Sequence, residues 1–245
     1  MSRSSPTVDD LLGARRVLAV QPHYDDNDIG CAGIIRRLVL AGAEVTYVTV
    51  TDDLAGVLDP DMPDDDAAAG LLAEQQQAAT LLGVASLVNL GWPDAGGLDH
   101  VALRDQVIAL IREHTPDLVL TVDPWLAHEA HRDHVVTGLA VSEAVLLSDL
   151  PRIHRPSATR PWGVDTIGYY DTDDPTVVVD TSAVQAERHA VLDCYRMQFT
   201  DDALAGLHRT LDRYERSLAP DGATHGEQLK VLPRSALHIG VGRRR

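Results

Sequence analysis

Short apolar runs alternate with segments of helical spacing along most of the chain. Val17–Val20, Glu44–Thr51, Ser86–Leu90 and Leu118–Val122 are rich in aliphatic and β-branched residues. Their length and make-up predict strands buried within a parallel sheet. Apolar positions recur at helical spacing over Ile34–Leu40, about Ala67–Leu82, Val101–His114 and from Val135 to about Leu147. Gly83 and Thr115-Pro116 supply stop signals for two of these helices. Thr166–Tyr170 and Thr176–Val179 read as further strands, Ala183–Met197 as a helix capped by Ser182, and about Ala203–Leu218 as a last helix. The proline-bearing stretches Leu54–Ala69 and Ser148–Gly163 read as loops, the first able to form a rim to a cleft. This rhythm predicts an α/β fold: a single-domain, Rossmann-like, doubly wound, mostly parallel sheet flanked by helices. The domain spans 1–245, with its core at about 15–200 and a C-terminal helix and late strand segment at about 201–240.

Composition narrows the function. At 245 residues and 44% hydrophobic the chain can bury a full core, and with aromatics at 4% aliphatic packing must dominate it. The 37 acidic against 21 basic side chains give a formal charge of −16. That balance argues against a nucleic-acid or anionic-membrane partner, both of which need clustered Lys and Arg. No apolar run approaches the ~18–20 residues of a membrane span, and the polar stretch Met1–Asp10 lacks a signal-peptide core. Cys31 and Cys194 form no spaced framework, which fits a reducing cytoplasm. Cys31 reads as a small buried packer, and Arg243–Arg245 as a frayed basic end. The acidic run Asp59–Asp66 lacks the pattern of a calcium loop and reads as solvated and capping.

Candidate chemistry gathers at two strand ends. After Val20 come Gln21-Pro22-His23-Tyr24-Asp25-Asp26, then Asn27-Asp28-Ile29-Gly30-Cys31-Ala32-Gly33. After Val122 come Asp123-Pro124-Trp125-Leu126-Ala127-His128-Glu129-Ala130-His131-Arg132-Asp133-His134. Imidazole and carboxylate are good ligands for zinc and related ions. Neighbours in extended chain point different ways, so one of Asp25 and Asp26 can bind a metal while the other acts as a base. One such cluster is equally a polar turn with a helix cap. Two of them at equivalent strand ends, opening onto one sheet edge, favour a metal site. Asp52, at the end of the second strand, and Asp94, after the third, add polar edges to the same cleft. Trp92 reads either as a stacking surface for a sugar ring or as a loop anchor. His154, His189, His208, His225 and His238 are scattered, without a partner at ligand spacing, and read as surface or packing residues.

With both clusters in view the chain resembles the LmbE/PIG-L family of zinc-dependent deacetylases. The family's Pro-His-Pro-Asp-Asp motif stands here as Pro22-His23-Tyr24-Asp25-Asp26, and its His-Pro-Asp-His motif as His131-Arg132-Asp133-His134. Weaker matches cover Glu74–Asp94 and the helix from Arg188 to Gln198-Phe199. The resemblance implies one Zn2+ per chain, held by His23, Asp26 and His134. It implies Asp25 as the base that activates the attacking water. His131 would polarise the carbonyl and serve the leaving amine, with Asp133 orienting it. Tyr24, Asp52, Trp92, Asp94, His128, Glu129 and His225 become substrate-contact candidates, His225 because the family often returns a late segment toward the site. A trimer or hexamer is also implied. Three departures stand out: Tyr24 replaces the usual proline, which should loosen the loop; Asn27 replaces a frequent Glu; and Leu72 replaces an Arg near the substrate.

The expected activity is metal-dependent removal of an acyl group, most naturally acetyl, from an amino-sugar-like small molecule. An amidase of the same family acting on a thiol conjugate or an antibiotic intermediate is the alternative. A non-catalytic, metal-dependent carbohydrate-binding module would not need Asp25 or the His131-Asp133 pair. A nucleotide-using transferase is disfavoured because His-Tyr-Asp-Asp stands where a glycine-rich phosphate cradle belongs.

Overall fold

The computed structural model describes residues 6–153 and 159–238. His154, the Arg243–Arg245 tail, Met1 to Ser5 and residues 154–158 of the Ser148–Gly163 stretch lie outside them. A short helix α1 (Val8–Leu12) precedes β1 (Arg16–Gln21), α2 (Asp26–Leu40), β2 (Glu44–Thr51), α3 (Asp64–Leu82), β3 (Ser86–Trp92), α4 (His100–His114), β4 (Leu118–Val122) and α5 (Arg132–Leu147). There follow β5 (Thr166–Tyr170), β6 (Val177–Asp180), α6 (Gln185–Leu192), α7 (Asp201–Ser217) and β7 (Gly226–Pro233).

Among the described residues the strands form one seven-stranded sheet in the order β3-β2-β1-β4-β5-β7-β6. The first five are parallel, and β7 runs antiparallel between β5 and β6. The fold class expected from the strand–helix rhythm is therefore observed. β1 is buried along its length after Arg16, because both faces of the sheet are covered. Val17 and Ala19 pack with Ile34, Leu38, Leu71 and Leu82 on the α2/α3 side. Leu18 and Val20 pack with Val107, Ile111, Val141 and Val145 on the α4/α5 side. From β1 the chain winds outward through β2 to β3, then returns to β4 on the other side of β1. This reversal opens a crevice between the carboxyl ends of β1 and β4, where ligands bind in open α/β sheets.

Local signals mostly behave as their physics dictates. α3 ends at Gly83 and α4 at Thr115, both in the left-handed region. α3 begins at Asp64, inside the stretch read as loop, with three aspartates at the positive end of its dipole. Two expectations fail. The helix read over Ala183–Met197 occupies only Gln185–Leu192, since Arg196 and Met197 donate their N–H groups to the Glu74 carboxylate instead. Ser182 does not cap it: the residue lies in a 3₁₀ turn, and its hydroxyl accepts the N–H groups of Thr224 and His225.

Candidate metal centre

β1 delivers its cluster directly into the crevice. Pro22, His23 and Tyr24 form the turn, Asp25 occupies the N-cap position of α2, and Asp26 opens the helix. The Asp25 carbonyl accepts the N–H groups of Asp28 and Ile29, so the turn is wound into the helix rather than looping freely. β4 delivers the second cluster across a longer loop, with His131 at the N-cap of α5 and His134 inside its first turn.

The two clusters meet. One Asp26 oxygen lies 3.1 Å from His23 Nδ1 and also accepts the His23 backbone N–H at 2.7 Å. The other lies 3.4 Å from His134 Nε2. His131 packs edge-on against His23 with ring centres 4.6 Å apart, and stacks on His134 at 4.8 Å. His23 Nε2 is buried without a hydrogen-bond partner and faces Asp94 Oδ1 at 3.3 Å and Asp133 Oδ2 at 3.9 Å. Ligand atoms of His23, His131 and His134 all lie within 4.8 Å of one another, as do those of His23, Asp94 and Asp133. Carboxylates converging on one imidazole make a strongly negative pocket that favours a cation, whether a proton on the ring or a metal ion. This nitrogen- and oxygen-rich donor set, centred on an orphaned buried imidazole nitrogen, fits a divalent transition metal.

The electrostatics point the same way. Burial alone would lower the pKa of His23, but the Asp26 hydrogen bond and the charges of Asp26, Asp53 and Asp94 push it up to about 10. Burial raises Asp25 well above the carboxylate range, helped by the negative charges of Asp26 and Asp53. Asp26 moves down instead: burial opposes its charge, but the His23 hydrogen bond and the His134 field outweigh that cost. Adjacent carboxylates are thus driven apart, one proton-loving and one anionic.

A cleft of about 330 Å³ lies over these groups, lined by His23, Asp25, Asp26, Asp94, Ala95 and His131 together with Asp53, Ala55, Gly56 and Gln198. Ala95 and His131 also line an adjoining space of about 270 Å³ bounded by Gly97, Ala130, Arg132 and Asp133. Together they have the size of a small-molecule site. The Leu54–Ala69 stretch does form part of the rim, through Ala55 and Gly56.

The remaining candidates divide. Asp94 lines the cleft as expected. Asp52 instead accepts the Asp94 N–H at 3.0 Å and joins two loops. Trp92 is an anchor, its ring packed on the core and its Nε1 donating to Gln106 at 2.8 Å. Tyr24 points into the core, 6% exposed. Its turn is not loosened, since the N–H donates to Asp53 and the carbonyl accepts from Gln21 and Tyr195. Glu129 accepts the His131 N–H at 2.6 Å and lies 3.5 Å from His134 Nδ1, so it holds histidines rather than lining the cleft. His128 is exposed and outside the cleft lining, in a left-handed turn (φ 69°). His225 packs under α7 with Nε2 3.1 Å from Asp212, away from the cleft. Asp133 accepts the Ala95 N–H at 2.9 Å and lies 3.9 Å from His23 Nε2. His189 and His208, read as unpartnered, face each other across α6 and α7 with nitrogens 2.8 Å apart.

Asp53 and Gln198 were not singled out as site residues, yet both line the cleft and hydrogen-bond to each other at 2.9 Å. Burial pushes the Asp53 carboxyl up to about 7, against the lowering effects of the Tyr24 N–H and His23. The one available signal for Asp53 was its place beside Asp52 at a strand end.

Known proteins resemble this chain in sequence and fold. The PIG-L family, described as GlcNAc-PI de-N-acetylase, matches residues 18–145. Diacetylchitobiose deacetylase of Thermococcus kodakarensis is 30% identical over 233 residues, covering 92% of this chain and 86% of the relative. The 1D-myo-inositol 2-acetamido-2-deoxy-alpha-D-glucopyranoside deacetylase of Mycobacteroides abscessus is 27% identical over 230 residues, covering 76% of this chain and 82% of the relative. In structure, the N,N'-diacetylchitobiose deacetylase from Pyrococcus horikoshii superposes with a TM-score of 0.90 at 29% identity, over 97% of this chain and 91% of that one.

Proposed function

The chain belongs to the PIG-L family, and on that premise we propose that it is a metal-dependent hydrolase removing an N-acetyl group from a small amino sugar. The observation that supports this reading most is the meeting of His23 and Asp26 with His131 and His134 around one cleft that also holds the buried Asp25. In the proposal His23, Asp26 and His134 hold the ion, with zinc as its identity. A bound divalent ion lowers the pKa of water from ~15.7 toward ~7 and polarises a carbonyl oxygen.

Asp25 takes the proton of the attacking water. Its burial beside Asp26 and Asp53 raises its proton affinity, which suits a group that must take a proton from water and hold it until the amine departs. His131, on the cleft wall, donates toward the carbonyl oxygen as negative charge develops there. The departing amine receives a proton from Asp25 or His131. Asp94, on the cleft wall beside His23, has the chemistry to accept a sugar hydroxyl. The sequence resemblance further supports assembly as a trimer or hexamer, and the unspaced Cys31 and Cys194 a cytoplasmic setting. No helix among the described residues is long and apolar enough to cross a membrane.

The decisive variant is Asp25→Asn. Free-amine release from N-acetylated glucosamine and its disaccharide should fall by about 10³-fold or more while bound metal, measured by elemental analysis, is unchanged. Activity within tenfold of the parent would remove Asp25 from the mechanism.

A further inference from the structure

Helix α2 is broken one turn after the site. Cys31 has φ −157° and ψ 30°, outside the helical region, so the turn that begins with Asp26 is set at an angle to the remainder. An unbroken helix would bond the Gly33 N–H to the Ile29 carbonyl and the Ile34 N–H to that of Gly30. Here both N–H groups go to one carboxylate, Gly33 to Glu227 Oε1 at 2.9 Å and Ile34 to Oε2 at 2.8 Å. On the other side of the break Arg188 donates to the carbonyls of Asp28 at 2.6 Å and Ile29 at 2.8 Å. Arg188 Nε meanwhile lies 3.0 Å from Glu227 and 2.9 Å from Glu215.

An ion pair from two distant elements has therefore been inserted into the hydrogen-bond ladder of the helix that carries Asp26. All three charged residues are buried: Arg188 and Glu215 are 2% exposed and Glu227 is 4%. Taking such charges out of water is costly, and a stretch of plain helix with apolar packing would have been cheaper. Gly33 makes room for the insertion, because a Cβ there would lie 2.7 Å from Glu227 Oε1. The link to the site is short. The Ile29 N–H donates to the Asp25 carbonyl at 2.8 Å, while the Ile29 carbonyl is held by Arg188.

We propose that Arg188 and Glu227 are positioning residues for the turn bearing Asp25 and Asp26: bridging the break, they fix the angle at which the two carboxylates enter the cleft. The inference rests on the metal-hydrolase reading for its functional consequence, and on the break alone for its structural one. A brace of this kind tunes the affinity of the site for its ion and the alignment of Asp25, without touching substrate.

The test uses the full chain with Arg188→Lys and Glu227→Gln. Lysine keeps the charge but loses the fork that spans two carbonyls. Glutamine leaves Arg188 balanced by Glu215, so it decides the matter alone should the lysine variant not fold. Val107→Ala, buried on the α4 side of the sheet, is the control for general destabilisation. In both brace variants zinc affinity, by competition with a chromophoric chelator, should weaken by about 10–100-fold. Activity should fall in kcat with KM held within about threefold. Hydrogen exchange should quicken in a peptide covering 25–34 and stay unchanged across α5. Val107→Ala should lower Tm without either effect. Parental zinc affinity and parental exchange over 25–34 in the brace variants would overturn the proposal, as would equal effects from Val107→Ala. Should the parent chain bind no metal, the hydrolase reading falls, while exchange over 25–34 still decides whether the brace holds the turn.

Discussion

The carboxylate of Asp53 accepts the backbone N–H of Tyr24 at 3.0 Å. The end of β2 thereby holds the turn that presents His23, Asp25 and Asp26. Asp53 adopts a left-handed backbone (φ 58°) to do so, a conformation that costs an aspartate less than most residues.

This contact makes the usual family residue a poor one here. Tyr24→Pro removes the N–H that Asp53 uses and the ring that fills the core. The variant should lose about 2–4 kcal/mol in denaturant unfolding, combining an unpartnered Asp53 oxygen with a lost aromatic side chain. A neutral or stabilising effect would show that the turn does not depend on Asp53.

Gly30 offers a test in which two principles predict opposite signs. Helix propensity alone gives Gly30→Ala a gain of up to about 1 kcal/mol. A Cβ there would instead run into the Tyr170 ring, which is fully buried. Packing should win, with a net loss of about 1–3 kcal/mol, read as a fall in Tm. A rise in Tm would mean that Tyr170 moves aside freely.

These residues also mark where sequence reading stops. Strands β1, β2 and β4 were legible because burial on both faces leaves unbroken apolar runs with sharp ends. The start of α2 was not, since Asp26, Asn27 and Asp28 are weak helix formers that look like loop. They are helical because they are buried and partnered: Asn27 with Gln21 and Ala19, Asp28 with Tyr47 and Tyr195. His23, Asp25, Asp26, His131 and Asp94 were found because each falls just past a strand or beside a recognisable motif. Asp53 and Gln198 reach the same cleft from segments 145 residues apart, and no local pattern joins them. Arg188 falls in the weaker match that runs to Gln198-Phe199, but nothing local joins it to Glu227. A carboxylate that caps a broken helix from 194 residues away has meaning only after folding.

Glu227 gives the fold a pH dependence of known sign. Burial pushes its pKa up from 4.5 to about 7, and the opposing pull of Arg188 does not cancel that. Between about 4.5 and 7 the folded chain therefore keeps a proton at this carboxyl that the unfolded chain releases. Stability from this group must fall as pH rises through that window. Glu227→Gln, which carries no titrating proton, should flatten the decline when unfolding is followed by denaturant in chelated protein at several pH values. An equally steep decline in the variant would assign the dependence to other carboxyls.

The most direct test of the central claim pairs metal content with turnover on the same preparation. Elemental analysis of the purified chain should find about one divalent ion per chain, and release of free amine from N-acetylated amino sugars should stop on chelation and return when zinc is restored. Amine release that persists after the ion has been fully removed, or a chain that takes up no ion under any loading condition, would contradict a metal-dependent deacetylase built on His23, Asp26 and His134.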